Sequence, residues 1–372
     1  MNTLQSIIDS GVKLTPMMKQ FHEIKINHQE AILLFRMGDF YEAFFEDASL
    51  IAKTLNIAQT HRGKLGDTPI PMAGIPYHAA SNYVDKLTSA GFKVAICEQI
   101  EDPKEAVGIV KRAVTQVVSP GIPYDIDKST SSDQHFIIST FCQNNKFYLV
   151  AIDFTTGDFH GHVIKSSEEL KDKIKKYSPK EFITFRDQWE NTPDLISEVK
   201  SLGTSITFLN DDYFNAEYTK IYTEKFIPSF ESDQVIKSEL NILCPIGAIS
   251  YYITTTQSLD SYDHIRPFKL HNEEGHLKIS SRALLGLEIL PKSREYYKES
   301  LLGFFDRTKT AIGSRALQSF FHQPLTDLKS IKERQKVIKS FLSDITLTQE
   351  VRNQLTPIRD IERILENLSF SN

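Results

Sequence analysis

The chain has 372 residues, 43 Lys and Arg against 48 Asp and Glu, a formal charge of −5 and 40% hydrophobic residues. That length suggests two or three domains, and the supply of Phe, Ile, Leu and Tyr excludes a mainly disordered protein. A membrane-spanning helix is excluded by the lack of any apolar run of about 18 residues. Nothing at Met1–Leu14 reads as a signal peptide, and three scattered cysteines (Cys97, Cys142, Cys244) without a CxxC fit a reducing cytoplasm.

Charge is uneven, with 13 basic and 15 acidic groups over residues 1–130, 12 and 18 over 131–257, and 18 and 15 over 258–372. The middle stretch is a poor surface for phosphates, and the flanks could meet DNA only through local patches.

Thr15-Pro16 predicts a helix start, with Thr15 as N-cap and Phe21 and Ile24 on an apolar stripe. Ala31–Met37 reads as a buried strand that turns at Gly38-Asp39, and Phe40–Phe45 as its partner strand. Asp47–Leu55 reads as a helix, and Thr60–Lys64 as a loop. The prolines of Pro69–His78 argue against a central strand or a helix there. Ser81–Ala90 predicts a helix with Ser81 as cap and Gly91 as stop, followed by strands at Lys93–Gln99 and Ala113–Val118.

Ser119–Pro123 and Asp125–Asp133 read as a linker. Phe136–Phe141, Phe147–Phe154 and Asp158–Ile164 then predict an antiparallel meander, followed by a helix at Glu168–Tyr177 and a strand at Glu181–Phe185. After about residue 258 the strand pattern fades. Helical spacing resumes from Tyr297, and Asp327–Phe341 carries Leu328, Ile331, Val337 and Ile338 on one side. The chain stops inside a helical pattern at Ile361–Glu366, so its end looks cut.

Three segments carry a resemblance: Arg36-Met37-Gly38-Asp39-Phe40-Tyr41-Glu42; Pro71-Met72-Ala73-Gly74-Ile75-Pro76-Tyr77-His78; and Val94–Gln99 with Glu101-Asp102-Pro103. Later come Asp153-Phe154-Thr155-Thr156-Gly157, Ser300-Leu301-Leu302-Gly303, Asp306–Thr310 and Gly313-Ser314-Arg315. In this order they closely resemble the MutS family of DNA mismatch repair proteins, from about residue 15 to the last. Two segments depart from the family: Ser119-Pro120-Gly121-Ile122 stands where Thr-Pro-Gly-Thr is usual, and Ser281-Arg282-Ala283-Leu284 replaces an Arg-rich segment.

The resemblance implies a multidomain α/β plus α fold. Residues 1–120 would form a small mixed α/β mismatch-recognition domain, 121–133 a linker, 134–255 a ribonuclease H-like connector, and 256–372 the truncated start of an all-α core. It further implies a cytoplasmic, nucleoid-associated protein that binds mismatched double-stranded DNA, meets a MutL-like partner through the connector, and dimerises at full length. This chain alone would be a monomer or weak dimer. ATP and Mg²⁺ serve full-length members, but no phosphate-binding loop is present: Gly63-Lys64 is followed by Leu65. The chain itself is therefore expected to need no cofactor and to catalyse nothing.

Residues at i and i+2 share a strand face, so Phe40, Glu42 and Phe44 are set against Tyr41, Ala43 and Phe45. Read alone, Phe40 is an ordinary core phenylalanine, although a glutamate on the same face speaks against burial. The resemblance matches Phe40 to the family's aromatic wedge and Glu42 to its base-contacting acid. Met37 could support the wedge, Arg62 could bind phosphate, and Arg112 aligns with a basic position near DNA. Tyr77 and His78 read as structural.

Other chemistry is thinly represented. His22-Glu23 has Ile26 where a zinc helix needs histidine, and no GxSxG exists. Asp153, Asp158 and Glu181 leave a metal-dependent nuclease as an alternative of a different class. A connector that docks a MutL-like partner, with little DNA binding of its own, is the alternative within the family.

Overall fold

The computed structural model describes residues 14–66, 68–101, 108–124, 134–257, 259, 261–271 and 275–369. Residues 125–133 of the expected linker at 121–133, and the Asp102-Pro103 part of the third motif, lie outside the described residues. The chain divides into two compact units, one of residues 1–125 with 252–259, the other of 126–251 with 260–372.

The first unit opens with α1 (Pro16–Ile26), capped as its sequence predicts: the Thr15 hydroxyl accepts from the Met18 N–H at 3.3 Å. Strands β1 (Ala31–Met37) and β2 (Phe40–Phe44) form an antiparallel hairpin across Gly38-Asp39, with Met37 opposite Phe40. Helix α2 (Phe45–Leu55) begins earlier than its pattern suggests. Phe45 adopts φ +55°, which ends the strand alternation and turns its ring onto Phe21 rather than beside Tyr41. Asp47 ties this junction down, accepting from the Leu33 N–H at 2.9 Å and pairing with Lys25 at 2.8 Å.

Next come β3 (Thr60–Leu65) and β4 (Thr68–Pro76), where the sequence suggests a loop and a proline-broken segment. β4 is an interior strand, paired with β2 on one side and β3 on the other. The prolines are tolerated by position. Pro71 and Pro69 lie opposite His61 and Lys64, which flank the register shift in β3, and Pro76 ends the strand. Helix α3 (Ala80–Ser89) follows a short turn. Its cap is Ala79 without a side-chain bond, so Ser81 lies inside the helix, whereas Gly91 at φ +88° does stop it. Strands β5 (Lys93–Gln99) and β6 (Arg112–Val118) complete a sheet of order β3-β4-β2-β1-β5-β6, with β1–β5 its one parallel pair among the described strands.

Both faces of this sheet are covered. On one, Leu34, Tyr41 and Ala43 form a single cluster with Ile51 of α2 and with Val84 and Leu87 of α3. On the other, Phe44 and Phe35 meet Met18 and Phe21 of α1, with the Phe21 and Phe44 rings edge-to-face at 5.1 Å. A returning stretch also belongs here: the Gln257 amide donates to the Val117 carbonyl at 2.8 Å, and Lys93 sits 4.5 Å over the Tyr252 ring.

The second unit contains the predicted meander, β7 (Phe136–Gln143), β8 (Lys146–Asp153) and β9 (Asp158–Ile164). Helix α4 (Ser167–Tyr177) is capped by Ser166. β10 (Glu181–Thr184), α5 (Arg186–Glu190), α6 (Pro193–Ser201) and β11 (Ser205–Phe208) follow. Then come α7 (Lys220–Phe226), α8 (Gln234–Ser238) and α9 (Leu243–Thr256), the last of which passes into the returning stretch of the first unit. A short strand, β12 (Lys269–His271), pairs in parallel with β9 beyond the point where the strand pattern fades. Three residues are too few to show a period. The sheet order is β11-β10-β7-β8-β9-β12.

The rest is helical: α10 (Ser281–Gly286), α11 (Leu301–Phe305), α12 (Ala311–His322), α13 (Leu328–Ser343), α14 (Ile345–Leu355) and α15 (Ile361–Ser369). Helix α13 forms where expected, but Leu328, Val337 and Ile338 are exposed and neither it nor α14 buries a described residue.

Candidate nucleic-acid interface

The hairpin turn needs a backbone that bends tightly, and Gly38 supplies it at φ +59°. Immediately beyond, Phe40 is 46% exposed, whereas Phe44 on the same strand face is sealed against α1. The expected face-sharing therefore holds, and burial falls off along it toward the turn.

Glu42 lies between these extremes, at 9% exposure. Its carboxylate receives Arg62 Nη1 at 2.6 and 2.5 Å on its two oxygens. Arg62 is brought there by the register shift in β3, a feature that a loop at Thr60–Lys64 would not provide. Burial pushes the Glu42 carboxyl above its ordinary range, and Arg62 and Arg112 pull it back only in part. The residue opposite Glu42 is Gly74, so no side chain stands between Glu42 and Phe40 from β4.

Met37 is half-buried against the α1-side core, directly across from Phe40. Arg112 is held inward: Nε donates to the Arg36 carbonyl at 2.7 Å, Nη1 to the Val110 carbonyl at 2.8 Å, and the guanidinium lies 4.9 Å over the Phe35 ring. It thus braces the end of β1 that leads into the turn. Burial lowers its pKa.

A second aromatic lies at this end. Tyr77, read as structural, is 46% exposed, and the Arg36 guanidinium stacks 3.8 Å from its ring centroid. Its N–H donates to the Asp39 carbonyl at 2.9 Å, tying the β4 end to the turn. The Tyr41 hydroxyl donates to Glu98, which also pairs with Arg36 at 3.7 Å. The juxtaposition of aromatic and basic residues in the first two motifs was the available signal.

The carboxylates that suggest a nuclease are each engaged by a neighbouring group. Asp153 accepts from the Thr155 N–H at 3.0 Å and hydroxyl at 2.7 Å, Asp158 pairs with Arg266 at 2.8 Å, and Glu181 accepts from the Thr207 hydroxyl at 2.5 Å. Among the described residues, no group of three or more His, Cys, Asp or Glu is placed to hold a metal ion.

The two units thus define a multidomain protein with a solvent-facing aromatic hairpin on the first sheet, and its domains have known counterparts in sequence. Family models match in order: MutS domain I at residues 15–127, MutS domain II at 135–266 and MutS domain III at 282–372. The chain belongs to the MutS family. It is similar to the DNA mismatch repair protein MutS of Caldanaerobacter subterraneus, 33% identical over 363 residues, covering 96% of this chain and 41% of the relative. The MutS of Clostridium tetani is 36% identical over 365 residues, covering 97% and 40%, and that of Streptococcus pneumoniae 35% over 361, covering 96% and 40%. The chain therefore spans about two fifths of the length of the curated relatives it matches.

Proposed function

We propose that this chain is the mismatch-recognising portion of a DNA mismatch repair protein, with Phe40 as a wedge and Glu42 as its discriminating partner. The observation that carries the reading is the half-exposed Phe40 ring at the hairpin turn, beside a shielded carboxylate held by a single arginine. Inserting an aromatic ring into the minor groove unstacks a base step and kinks the duplex, at a cost of a few kcal/mol. A mispaired step has less pairing and stacking to lose, so the cost is lower there. Discrimination then comes from deformability more than from reading base edges.

Glu42 weakens binding to every duplex by charge alone. At a mismatch, a displaced base can offer an N–H to the carboxylate, or accept from the carboxyl if it is protonated. A perfect pair cannot rotate to do so, and the repulsion stays uncompensated. Arg62, with a side chain 42% exposed, is free to exchange Glu42 for a phosphate when DNA arrives. Met37 and Arg112 brace the wedge from behind, with Arg112 near the phosphates.

The connector reading draws support from topology. Strands β7 to β11 have the order 5-4-1-2-3, an antiparallel meander followed by two parallel additions, as in a ribonuclease H-like fold. This unit would meet a MutL-like partner. Dimerisation, ATP and Mg²⁺ belong to the full-length protein, and this chain acts by binding. One wedge domain meets few phosphates, so binding by this chain alone is expected to be weak. The test is a band-shift titration of Glu42→Ala on heteroduplex and homoduplex with Mg²⁺ present. The expected result is a reduced heteroduplex-to-homoduplex ratio without cleavage; an unchanged ratio overturns the role of Glu42.

A further inference from the structure

Within the second unit, three short segments gather four tyrosines. A helical turn at Asp211–Phe214 carries Tyr213, α7 carries Tyr222 with Tyr218 just before it, and α9 carries Tyr251. The Tyr213 and Tyr251 rings stack with centroids 3.6 Å apart at 14°. Tyr218 meets Tyr213 edge-on at 5.5 Å, and Tyr222 meets Tyr251 edge-on at 5.1 Å.

The backbone beneath them is fixed locally. Asn215 Oδ1 accepts from the Glu217 N–H at 2.9 Å and the Tyr218 N–H at 3.3 Å, and the Thr219 hydroxyl donates to the Asn215 carbonyl at 2.9 Å. Thr219 is buried against Gly247 of α9, where a Cβ would stand 2.0 Å from the threonine Oγ1. Tyr251 lies one helical turn beyond Gly247 on the same face, so this close approach brings the rings of the two segments together. The outer part of the cluster stays in solvent: Tyr218 is 56% exposed and Ile221, beside it on α7, 64%.

The surrounding charge is negative. Residues 210–231 hold Asp211, Asp212, Glu217, Glu224 and Glu231 against Lys220 and Lys225. Lys220 is paired with Glu231 at 2.5 Å, which chiefly raises its pKa, and Glu224 and Glu217 raise it further. α9 brings no charged side chain to the cluster. Arg186, at the start of α5, is placed 4.6 Å over the Phe208 ring. The Tyr218 hydroxyl is held above its ordinary pKa by Tyr213, then by burial and by Asp212, so the exposed ring is neutral at pH 7.

A tyrosine face rimmed by carboxylates discriminates among occupants. It repels the phosphates of a nucleic acid. A purely apolar segment would cover the rings and leave the carboxylates desolvated without a partner. A second copy of the chain would set the same acid excess against itself. A guanidinium suits both features, since it stacks on an aromatic ring and donates to carboxylates. We propose that this surface docks an arginine-bearing segment of a partner protein, with Tyr218 as the stacking platform and Asp212 and Glu217 as acceptors at its rim. The proposal concerns this unit alone and stands whether or not the hairpin binds DNA.

The test is an NMR titration of the whole chain, with its tyrosines ¹³C-labelled, against a glycine-spaced arginine peptide and against the same peptide carrying lysine or leucine in place of arginine. The expected result is saturable binding of the arginine peptide that shifts the ring signals of the cluster, weaker binding of the lysine peptide and none of the leucine peptide. The double variant Tyr218→Leu, Tyr222→Leu should weaken arginine-peptide binding about fivefold or more, whereas Tyr218→Phe, which keeps the ring, should stay within about twofold of wild type. If the double variant does not fold, Tyr218→Leu alone should act in the same direction. No saturable binding up to roughly 10 mM overturns the proposal. Equal binding of the leucine peptide overturns it in favour of an apolar groove, and undiminished binding by a folded leucine variant in favour of general attraction to the acidic residues. Tighter binding of oligothymidylate at the same rings, or self-association in sedimentation that Tyr218→Leu abolishes, gives the surface a different occupant and likewise overturns it.

Discussion

Replacing Phe40 with alanine separates a wedge from a core residue. Full burial of a phenylalanine is worth roughly 1.5–3 kcal/mol, and Phe40 is 46% exposed, so truncation should cost the fold only about 1 kcal/mol. For a chain of this size that lowers Tm by about 2–4 °C. On DNA the ring has far more to lose. Stacking between a base and an aromatic side chain is worth about 1–3 kcal/mol, or roughly 5- to 150-fold in heteroduplex affinity. Homoduplex affinity, which rests on phosphate contacts, should change little. The assay is a low-salt titration of duplexes carrying 2-aminopurine beside the mismatch, whose fluorescence reports unstacking, with thermal unfolding alongside. Phe40→Leu should fall between wild type and Phe40→Ala. If Tm drops by more than about 8 °C while the heteroduplex-to-homoduplex ratio holds, the ring is structural and the reasoning fails.

Glu42→Gln tests the shielded carboxyl by pH. Because burial raises the folded pKa above 4.5, the folded state binds this proton more tightly than the unfolded chain does. The group's contribution is complete below that value and is lost as pH rises through the elevated folded pKa, so Tm–pH profiles of wild type and variant should diverge there, with the variant flatter. Arg62→Gln should reduce the slope of log affinity against log salt by about 0.9, the contribution of one phosphate contact; an unchanged slope would leave Arg62 as a partner of Glu42 alone. In the second unit, Gly157 sits at φ +73°, and a Cβ there would collide with the His264 carbonyl oxygen. Gly157→Ala should cost about 2–4 kcal/mol in urea unfolding, and a native midpoint would refute the close approach.

The parts of this architecture that are legible in sequence are those where local chemistry and tertiary demand coincide. The Thr15 cap, the Gly38 turn and the meander from Phe136 to Ile164 each carry their own signal within a few residues. β4 escapes a sequence reading because proline's cost depends on what lies opposite, and the irregular pairing of β3 is visible only once two distant segments meet. β12 escapes it for its brevity, and its place is set by β9, more than a hundred residues earlier. Within the candidate site, alternation places Phe40 and Glu42 on one face. The exposure of one and the shielding of the other follow from where α1 stops covering the sheet and where Arg62 arrives. For Arg112, a basic residue's position in a strand does not foretell the bonds it makes to the carbonyls of Arg36 and Val110.

The pairing of β12 with β9 has a consequence for biosynthesis. Until Lys269–His271 emerges from the ribosome, β9 is the outermost strand of its sheet, with one row of peptide groups unsatisfied and available to any passing chain. A gene segment ending near residue 255 would make that nascent vulnerability permanent, whereas one extended through residue 271 would carry its own closing strand.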